Sequence, residues 1–428
     1  MAEVCPFMGL RYNHQKVENL MSVICPPYDV ISLEQQNAYY KKSEHNIIRL
    51  EHGMVLPGDN QDNNKHLRAQ TTYHQWLNEH ILQADPVPSF YIHEQTFSYN
   101  DTKKKRLGFT ACIRLEPWES KMVFPHEHTV SGIKSDRLQL MRATGANFSP
   151  LLGLYDDLGG KIAKLLTGQT SRKPIIDISD GNEGHRVWMA NEPEFVQRVS
   201  YYIAAKPIFI ADGHHRYETA LAYRDERLQG DWPHGDEAFN FVMMTLVSFT
   251  DPGLIALPVH RMVRGISDKG LSMLKRHLDD FFEAESIPLD NSGLPEIKGA
   301  TTMALGLEPE GLLALRLRHS TSLEEIMPQE RSDVYKRLDV SIVQHLIVDS
   351  LIAAEKNSNI SYTPDATFAC ESVERGEFQL AFLLNPIPVT IIKTIAEADD
   401  RMPGKSTYFH PKLPTGLVIN CLDGMLIG

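Results

Sequence analysis

The densest group of chemically capable side chains lies in the run Ala211-Asp212-Gly213-His214-His215-Arg216. An apolar stretch at 207–210 precedes it and predicts a buried strand, and a helical pattern at 217–228 follows it. We therefore expect a strand that turns at Gly213 into a helix N-terminus, where backbone N–H groups and the helix dipole favour phosphate. The run predicts a phosphate site formed by Gly213, His214, His215 and Arg216, in which the Arg216 guanidinium makes a bidentate contact with two phosphate oxygens.

Asp212 ends the same predicted strand. A carboxylate at this position could hold a Mg²⁺ ion beside the phosphate or orient a substrate hydroxyl. It could also do no more than cap the helix. We assign it to the catalytic and metal-binding groups.

A second cluster is Phe124-Pro125-His126-Glu127-His128. His126 and His128 lie on one side of an extended segment and could be two ligands of a metal ion. Glu127 between them could act as a general base that its neighbours position. If His214 and His215 supplied the remaining ligands, the protein would be a metal-dependent hydrolase.

The third cluster is the proline-bounded loop 403–412. Its Gly404-Lys405-Ser406 resembles the end of a P-loop, but residues 399–402 lack the required earlier glycine, so we reject that motif. The loop can still supply cations and hydroxyls to an anion, and we assign Lys405, Ser406 and Thr407 to nucleotide binding. Four residues remain as candidates for contacts to the substrate, namely Tyr28 and Asp29 on a proline-rigidified turn, His128 and Lys412.

Strands mixed with helices indicate an α/β or mixed α+β fold with mixed sheets. Strands at 89–99 and 106–115 predict a hairpin whose basic run 103–106 is a solvated tip. A second hairpin is expected around Asp251-Pro252-Gly253, and a helix with a hairpin within 267–320. We expect four regions: an N-terminal α/β region (1–120), a phosphate-binding core (121–265), an inserted helix and hairpin unit (266–330) and a C-terminal α/β region (331–428).

Composition limits the classes of protein that the sequence can be. Of the 428 residues, 42% are hydrophobic and 23% charged, which is ordinary for a packed soluble protein. The net charge of −12 disfavours binding to a nucleic acid backbone. We find no apolar run of membrane-spanning length and no signal peptide pattern, and the five scattered cysteines favour neither disulfides nor a zinc site. We expect a cytoplasmic protein without nucleic acid or membrane partners.

Several of these motifs resemble a known family. The segments 25–32, 126–129, 211–220 and 405–409 together resemble a prokaryotic domain-of-unknown-function family, number 1015, over nearly the whole chain. More distantly, the motifs at 125–127, 212–216 and 403–407 resemble in order those of archaeal free serine kinases, which phosphorylate L-serine with ADP. That resemblance implies a ParB/sulfiredoxin-like nucleotide-binding core with N-terminal and inserted subdomains. It further implies Glu127, beside His126, as the base, with Asp212 as its partner near the metal.

We therefore expect a nucleotide-dependent phosphotransferase that acts on a small hydroxyl compound, with serine or phosphoserine as the first candidate. Mg²⁺ and ADP or ATP would be the cofactor and the phosphate donor. The same site with water as acceptor would make a phosphoserine phosphatase, and the histidine-based metal hydrolase is the other alternative. The sequence leaves open the nucleotide, the direction of transfer and whether the chain forms a homo-oligomer.

Overall fold

The computed structural model describes residues 2–129, 131–228, 235–287, 299–307, 311–319, 322–352 and 358–426. In chain order its strands are β1 (Val4–Cys5), β2 (Leu10–Tyr12), β3 (Leu82–Ala84), β4 (Phe90–Tyr99), β5 (Thr102–Arg114), β6 (Val123–Phe124), β7 (Ala146–Asn147), β8 (Leu151–Tyr155), β9 (Ile176–Ser179), β10 (Glu183–Ala190), β11 (Ile208–Asp212), β12 (Phe241–Ser248), β13 (Ile255–Leu257), β14 (His260–Arg264), β15 (Phe282–Ile287), β16 (Thr302–Leu305), β17 (Leu312–Leu317), β18 (Asn359–Thr363), β19 (Leu380–Leu383), β20 (Tyr408–His410) and β21 (Asn420–Cys421).

Its α-helices are α1 (Leu33–Lys42), α2 (Ile48–Glu51), α3 (Lys65–Asn78), α4 (Ser131–Thr144), α5 (Lys161–Gln169), α6 (Pro193–Ala204), α7 (His214–Arg227), α8 (Asp268–Phe281), α9 (Leu323–Ile326), α10 (Asp333–Lys336), α11 (Asp339–Val343), α12 (Ala366–Glu374) and α13 (Val389–Glu397). A π-helical stretch, Gln344–Ile352, continues α11. Short 3₁₀ turns lie at Leu20–Ser22, Tyr28–Val30, Trp118–Ser120 and Ala238–Asn240. Among the described residues, no helix combines the length and the apolar character that a membrane crossing requires.

The chain forms two compact units. Unit 1 comprises residues 1–125, 129–255 and 411–428, and unit 2 comprises residues 126–128 and 256–410. The four regions expected from the sequence stay a prediction.

A nine-stranded mixed sheet is the centre of unit 1. Its order is β6-β11-β8-β12-β5-β4-β10-β9, with β1 paired to β5. The β6–β11 and β8–β12 pairs are parallel and the other pairs are antiparallel. Every residue of β8 and β12 is buried, as expected of near-continuous apolar runs covered on both faces. Helix α7 packs against β8 and β12, and α4 packs on α7. The expected mixed α/β fold with a mixed sheet is confirmed.

Unit 2 has a six-stranded antiparallel sheet in the order β15-β17-β16-β19-β14-β18. The helix and hairpin expected within 267–320 are α8, β16 and β17, and the hairpin strands join this sheet. The expected hairpin tip at 308–310 lies outside the described residues. Helix α12 packs on β14 and β19.

The first expected hairpin is confirmed as β4 and β5, but its turn is tighter than expected. Tyr99 pairs with Thr102, and Asn100 and Asp101 form the turn with positive φ angles of 47° and 56°. The basic run 103–106 therefore lies at the start of β5, where Lys103 and Lys105 are exposed as expected. Arg106, at 2% exposure, is buried, which corrects the prediction for that residue.

The second expected hairpin is wrong. Strand β12 has β5 on one side and β8 on the other, so both of its hydrogen-bonding edges are occupied. The following strand, β13, pairs with β20 instead. Gly253 in the intervening turn lies against the backbone of Lys105 and Arg106, where an added Cβ would come within 2.6 Å. The turn thus packs on the first hairpin and does not fold β13 back on β12.

Arg106 should matter for stability. Its Nη2 donates to the Gln95 side chain and to the Pro411 carbonyl at 2.7 Å, so Arg106→Ala leaves two buried acceptors without a donor. We expect a loss of about 3 kcal/mol in the free energy of unfolding, measured by urea denaturation. Lys103→Ala, an exposed position on the same strand, is the control and should change it by less than about 0.5 kcal/mol. Equal effects of the two variants would restore the solvated-tip interpretation.

Candidate functional site

The strand–turn–helix expected at Gly213 is present. Strand β11 ends at Asp212, Gly213 is the N-cap residue with φ +96° and ψ 27°, and α7 begins at His214. A Cβ on residue 213 would lie 2.9 Å from Leu151 Cγ and 3.0 Å from Arg216 Nε, so the turn requires glycine for both conformation and space. No side chain in the described part of the chain caps this helix, and its first turn contains no acidic residue. The N-terminus of α7 therefore has the polarity that suits an anion.

Asp212 is held between two cations. Lys412 Nζ pairs with its Oδ1, and Arg216 Nη2 donates to its Oδ2 at 2.7 Å. Burial raises the pKa of Asp212, but the charges of Lys412 and Arg216 outweigh burial and hold this pKa well below its usual range. The carboxylate is ionised at neutral pH and fixes both cations beside the turn.

The orientation of Arg216 has a second origin. Its Nη1 donates to Ser149 Oγ at 3.0 Å and to the Pro150 carbonyl at 2.7 Å. The Ser149 hydroxyl in turn donates to Glu51 Oε1 at 3.1 Å. Sequence reasoning missed Ser149 and Glu51, because neither residue stands in a polar cluster along the chain.

The turn that carries Tyr28 and Asp29 belongs to the same group of residues. Burial lowers the pKa of Arg216, but the charge of Asp212 and, after it, that of Asp29 raise this pKa above its usual value. Tyr28 lies under Arg137, whose Cζ is 4.2 Å from the ring centroid. Burial raises the pKa of Tyr28, and Asp29 adds to this effect. Unit 1 therefore brings together Tyr28, Asp29 and the Asp212–Arg216–Lys412 group.

A small cavity adjoins Arg216. Its volume is about 40 Å³, and its polar lining consists of Glu51, Arg137, Asn147, Ser149, Arg216 and Thr219. This space suits water molecules, whereas sites for organic ligands usually measure about 300–1,000 Å³. The cavity is therefore too small to be a nucleotide site by itself.

Unit 2 contains the Glu127 cluster. Glu127 Oε1 accepts the backbone N–H of Ser406 at 2.6 Å and that of Thr407 at 3.4 Å. The buried His126 contacts Thr407 Oγ1 through Nε2 at 3.0 Å. Lys405 precedes these residues in an exposed position with φ +61°. The Glu127 carboxylate thus anchors the loop that carries Lys405, a contact that sequence reasoning did not predict.

The histidines at 126 and 128 contact different partners. Nε2 of His128 lies 3.3 Å from Arg331 Nη2, whereas His126 contacts Thr407. Among the described residues, no group of three His, Cys, Asp or Glu side chains is arranged to hold a metal ion. The contacts of these histidines therefore give the metal-hydrolase alternative no support.

The contacts of Asp212 do not support the expected magnesium ion. Both of its carboxylate oxygens are taken, one by Lys412 and the other by Arg216. A Mg²⁺ ligand needs an available, negatively charged oxygen. Asp212 thus serves in this structure to hold cations, and its metal-binding role stays a prediction.

One family model matches residues 4–341, and the chain belongs to the family described as protein of unknown function (DUF1015). No curated protein matches the chain. Similar solved structures include a conserved hypothetical protein from Pyrococcus furiosus, with 16% identity, a TM-score of 0.37 and coverage of 70% of this chain and 92% of that chain. They also include a free serine kinase variant in complex with ADP, with 13% identity, a TM-score of 0.39 and coverage of 71% and 89%. C-terminally truncated SbnI from Staphylococcus aureus has 9% identity, a TM-score of 0.37 and coverage of 74% and 87%.

Gly213 allows a direct test of the turn. Gly213→Ala places a Cβ in a left-handed conformation and against Leu151, so we expect a loss of about 1–3 kcal/mol in the free energy of unfolding. Gly168→Ala in α5 is the matched control, since nothing lies within 4 Å of that Cβ, and alanine there should stabilise by about 0.5–1 kcal/mol. Urea denaturation of both variants shows whether each substitution raises or lowers the free energy of unfolding. A stabilising Gly213→Ala would contradict the geometry of the turn.

Proposed function

We propose that this protein is a nucleotide-dependent phosphotransferase whose Gly213–Arg216 turn binds the phosphates. The observation that carries the proposal is the start of α7 directly after buried β11, with a glycine N-cap and no capping side chain among the described residues. Backbone N–H groups at such a start have no partner within the helix and align with the positive end of its dipole. Phosphate is the ligand that this arrangement suits best.

Arg216 and Lys412 add positive charge at the turn. Since Asp212, Ser149 and Pro150 already fix the guanidinium, its hydrogen bonds are largely used within the protein. We infer that the helix N–H groups make the hydrogen bonds to phosphate and that the two side chains stabilise its charge. Cations held in place before the ligand arrives cost no reorganisation during phosphoryl transfer.

We assign the role of general base to Glu127. Its Oε1 is held by the N–H groups of Ser406 and Thr407, so that Oε2 can take the proton of the acceptor hydroxyl. Serine is the first candidate for the acceptor, and phosphoserine would be the substrate of the reverse reaction. ADP or ATP is the proposed phosphate donor.

A thermal-shift screen tests the proposal as a whole. The protein is incubated with AMP, ADP, ATP or GTP, each with and without L-serine, phosphoserine and Mg²⁺. A nucleotide at about 100 times its Kd should add roughly 2.7 kcal/mol of stability. The Mg²⁺ series shows whether the nucleotide binds as a metal complex, a point on which Asp212 gives no support. A protein that no nucleotide stabilises would contradict the proposal.

Arg216 tests the phosphate site in particular. Arg216→Ala removes one fixed cation from the turn, and we expect nucleotide binding to weaken by about 2–4 kcal/mol in calorimetric titrations. Arg227→Ala is the control, because Arg227 lies in the last turn of the same helix. That variant should bind nucleotide as the unmodified protein does. Unchanged nucleotide affinity in a folded Arg216→Ala protein would remove the turn from the proposal.

Glu127 tests the catalytic assignment. Glu127→Gln keeps an oxygen for the N–H groups of Ser406 and Thr407 but removes the proton-accepting charge. Turnover should fall about 10²–10⁴-fold while nucleotide affinity stays nearly the same, measured by phosphate transfer and titration on one preparation. His126→Ala, measured in parallel, distinguishes the metal-hydrolase alternative, which requires simultaneous loss of a bound transition metal and of activity. Normal turnover in Glu127→Gln would exclude Glu127 as the base.

A further inference from the structure

Arg261 in unit 2 is a buried cation with unused hydrogen-bond donors. It lies on β14, which is paired on both sides, with β18 and with β19. Its exposure is 0%, and Nη1 donates to the Val259 carbonyl at 2.5 Å. Among the described residues, Nε and Nη2 have no hydrogen-bond partner. The paired strand and the Nη1 contact fix the guanidinium, and one edge of it is left without an acceptor.

The two unpartnered atoms form a matched pair. Nε–H and Nη2–H point in parallel from one edge of the guanidinium plane, and this edge binds two oxygens of a carboxylate or phosphate together. Burial lowers the pKa of Arg261 to about 10, so the side chain is still charged at neutral pH. A buried charge with two unmade hydrogen bonds is costly for the folded protein. A ligand that supplies both acceptors would remove that cost.

The surroundings favour a singly charged ligand. Glu127 interacts electrostatically with Arg261, and the Tyr362 ring centroid lies 5.7 Å from its Cζ. The neighbouring His260 accepts the Leu384 N–H through Nδ1, and burial lowers its pKa to about 4, so it is neutral at pH 7. A single cation beside the Glu127 carboxylate neutralises one negative charge. With Arg261 and Glu127 counted together, a bound carboxylate leaves one net negative charge in the group and a phosphate dianion leaves two, so the carboxylate is repelled less.

We propose that Arg261 binds the carboxylate of the acceptor substrate through Nε and Nη2. The substrate class is then a small hydroxy acid or amino acid with a free carboxylate, and not a simple alcohol or a sugar. The assignment of this ligand as the acceptor rests on the proposed phosphotransferase function. The carboxylate site itself rests on the geometry and burial of Arg261.

Arg261→Met and Arg261→Lys test the site. Methionine removes the unsatisfied buried charge, so the ligand-free variant should melt at a higher temperature than the unmodified protein. The matched control is Arg11→Met, because Arg11 is also largely buried but is ion-paired with Asp85. That variant should melt at a lower temperature, since it leaves the Asp85 carboxylate without its ion-pair partner. Arg261→Lys keeps the charge and removes the paired donors, so this variant tests the carboxylate site if the methionine variant does not fold.

Ligand binding is measured with L-serine, L-serinamide, ethanolamine, acetate and inorganic phosphate as probes. L-serine should bind the unmodified protein, and both Arg261 variants should bind it about 10- to 100-fold more weakly. The affinity for serinamide and for ethanolamine, which lack the carboxylate, should be the same in the variants and in the unmodified protein. Nucleotide affinity should also be unchanged.

Three results would overturn the carboxylate site. The first is a lower melting temperature in Arg261→Met together with unaltered serine affinity, and the second is equal binding of serine and serinamide by the unmodified protein. The third is binding of inorganic phosphate with no binding of serine or acetate. Loss of serine or acetate affinity in the variants, together with no phosphate transfer to any acceptor, would support the site and contradict the phosphotransferase proposal. Phosphate transfer to serine and to serinamide at equal rates would support the phosphotransferase proposal and contradict the carboxylate site.

Discussion

The Asp212 carboxylate and its two cations are the interaction on which the turn in unit 1 depends. Lys412 and Arg216 both pair with Asp212, although Lys412 is 200 positions away along the chain. This contact joins the C-terminal segment to the start of α7. Since Asp212 keeps its charge, both cations stay in place, and the glycine at 213 leaves room for the Arg216 guanidinium, which an added Cβ would approach to 3.0 Å.

Buried charge recurs in unit 1, and most of it is compensated. Ser149 links Glu51 to Arg216, and Arg137 donates to the Glu51 carbonyl at 2.6 Å. Burial raises the pKa of Glu51, and the charges of Arg137 and Arg216 oppose that rise. A network of this kind holds its members rigidly because loss of any one leaves the others buried without a partner.

In the described part of the chain, two arginines outside this network are buried, and they differ in what they do. Arg106 uses its Nη2 to hold the segment that contains Pro411, next to Lys412, so its burial supports the position of a candidate site residue. Arg261 binds one carbonyl and leaves a complete donor edge unused within the described residues. A structural role explains the first arrangement, whereas the second has a cost in stability that binding of a ligand would offset.

The sequence by itself determined the local features. The apolar run before Asp212 and the single glycine after it are enough to predict the β11–α7 turn. Both the periodicity of hydrophobic residues and the conformational freedom of glycine act over only a few residues. The β4–β5 hairpin and the family to which the chain belongs could also be predicted from the sequence. Only the tertiary structure decided that Arg106 is buried, that β12 lies between β5 and β8, that Ser149 and Glu51 orient Arg216, and that Lys412 neutralises Asp212. These contacts join residues far apart in the chain, and no spacing along one sequence encodes which distant polar groups share a low-dielectric environment.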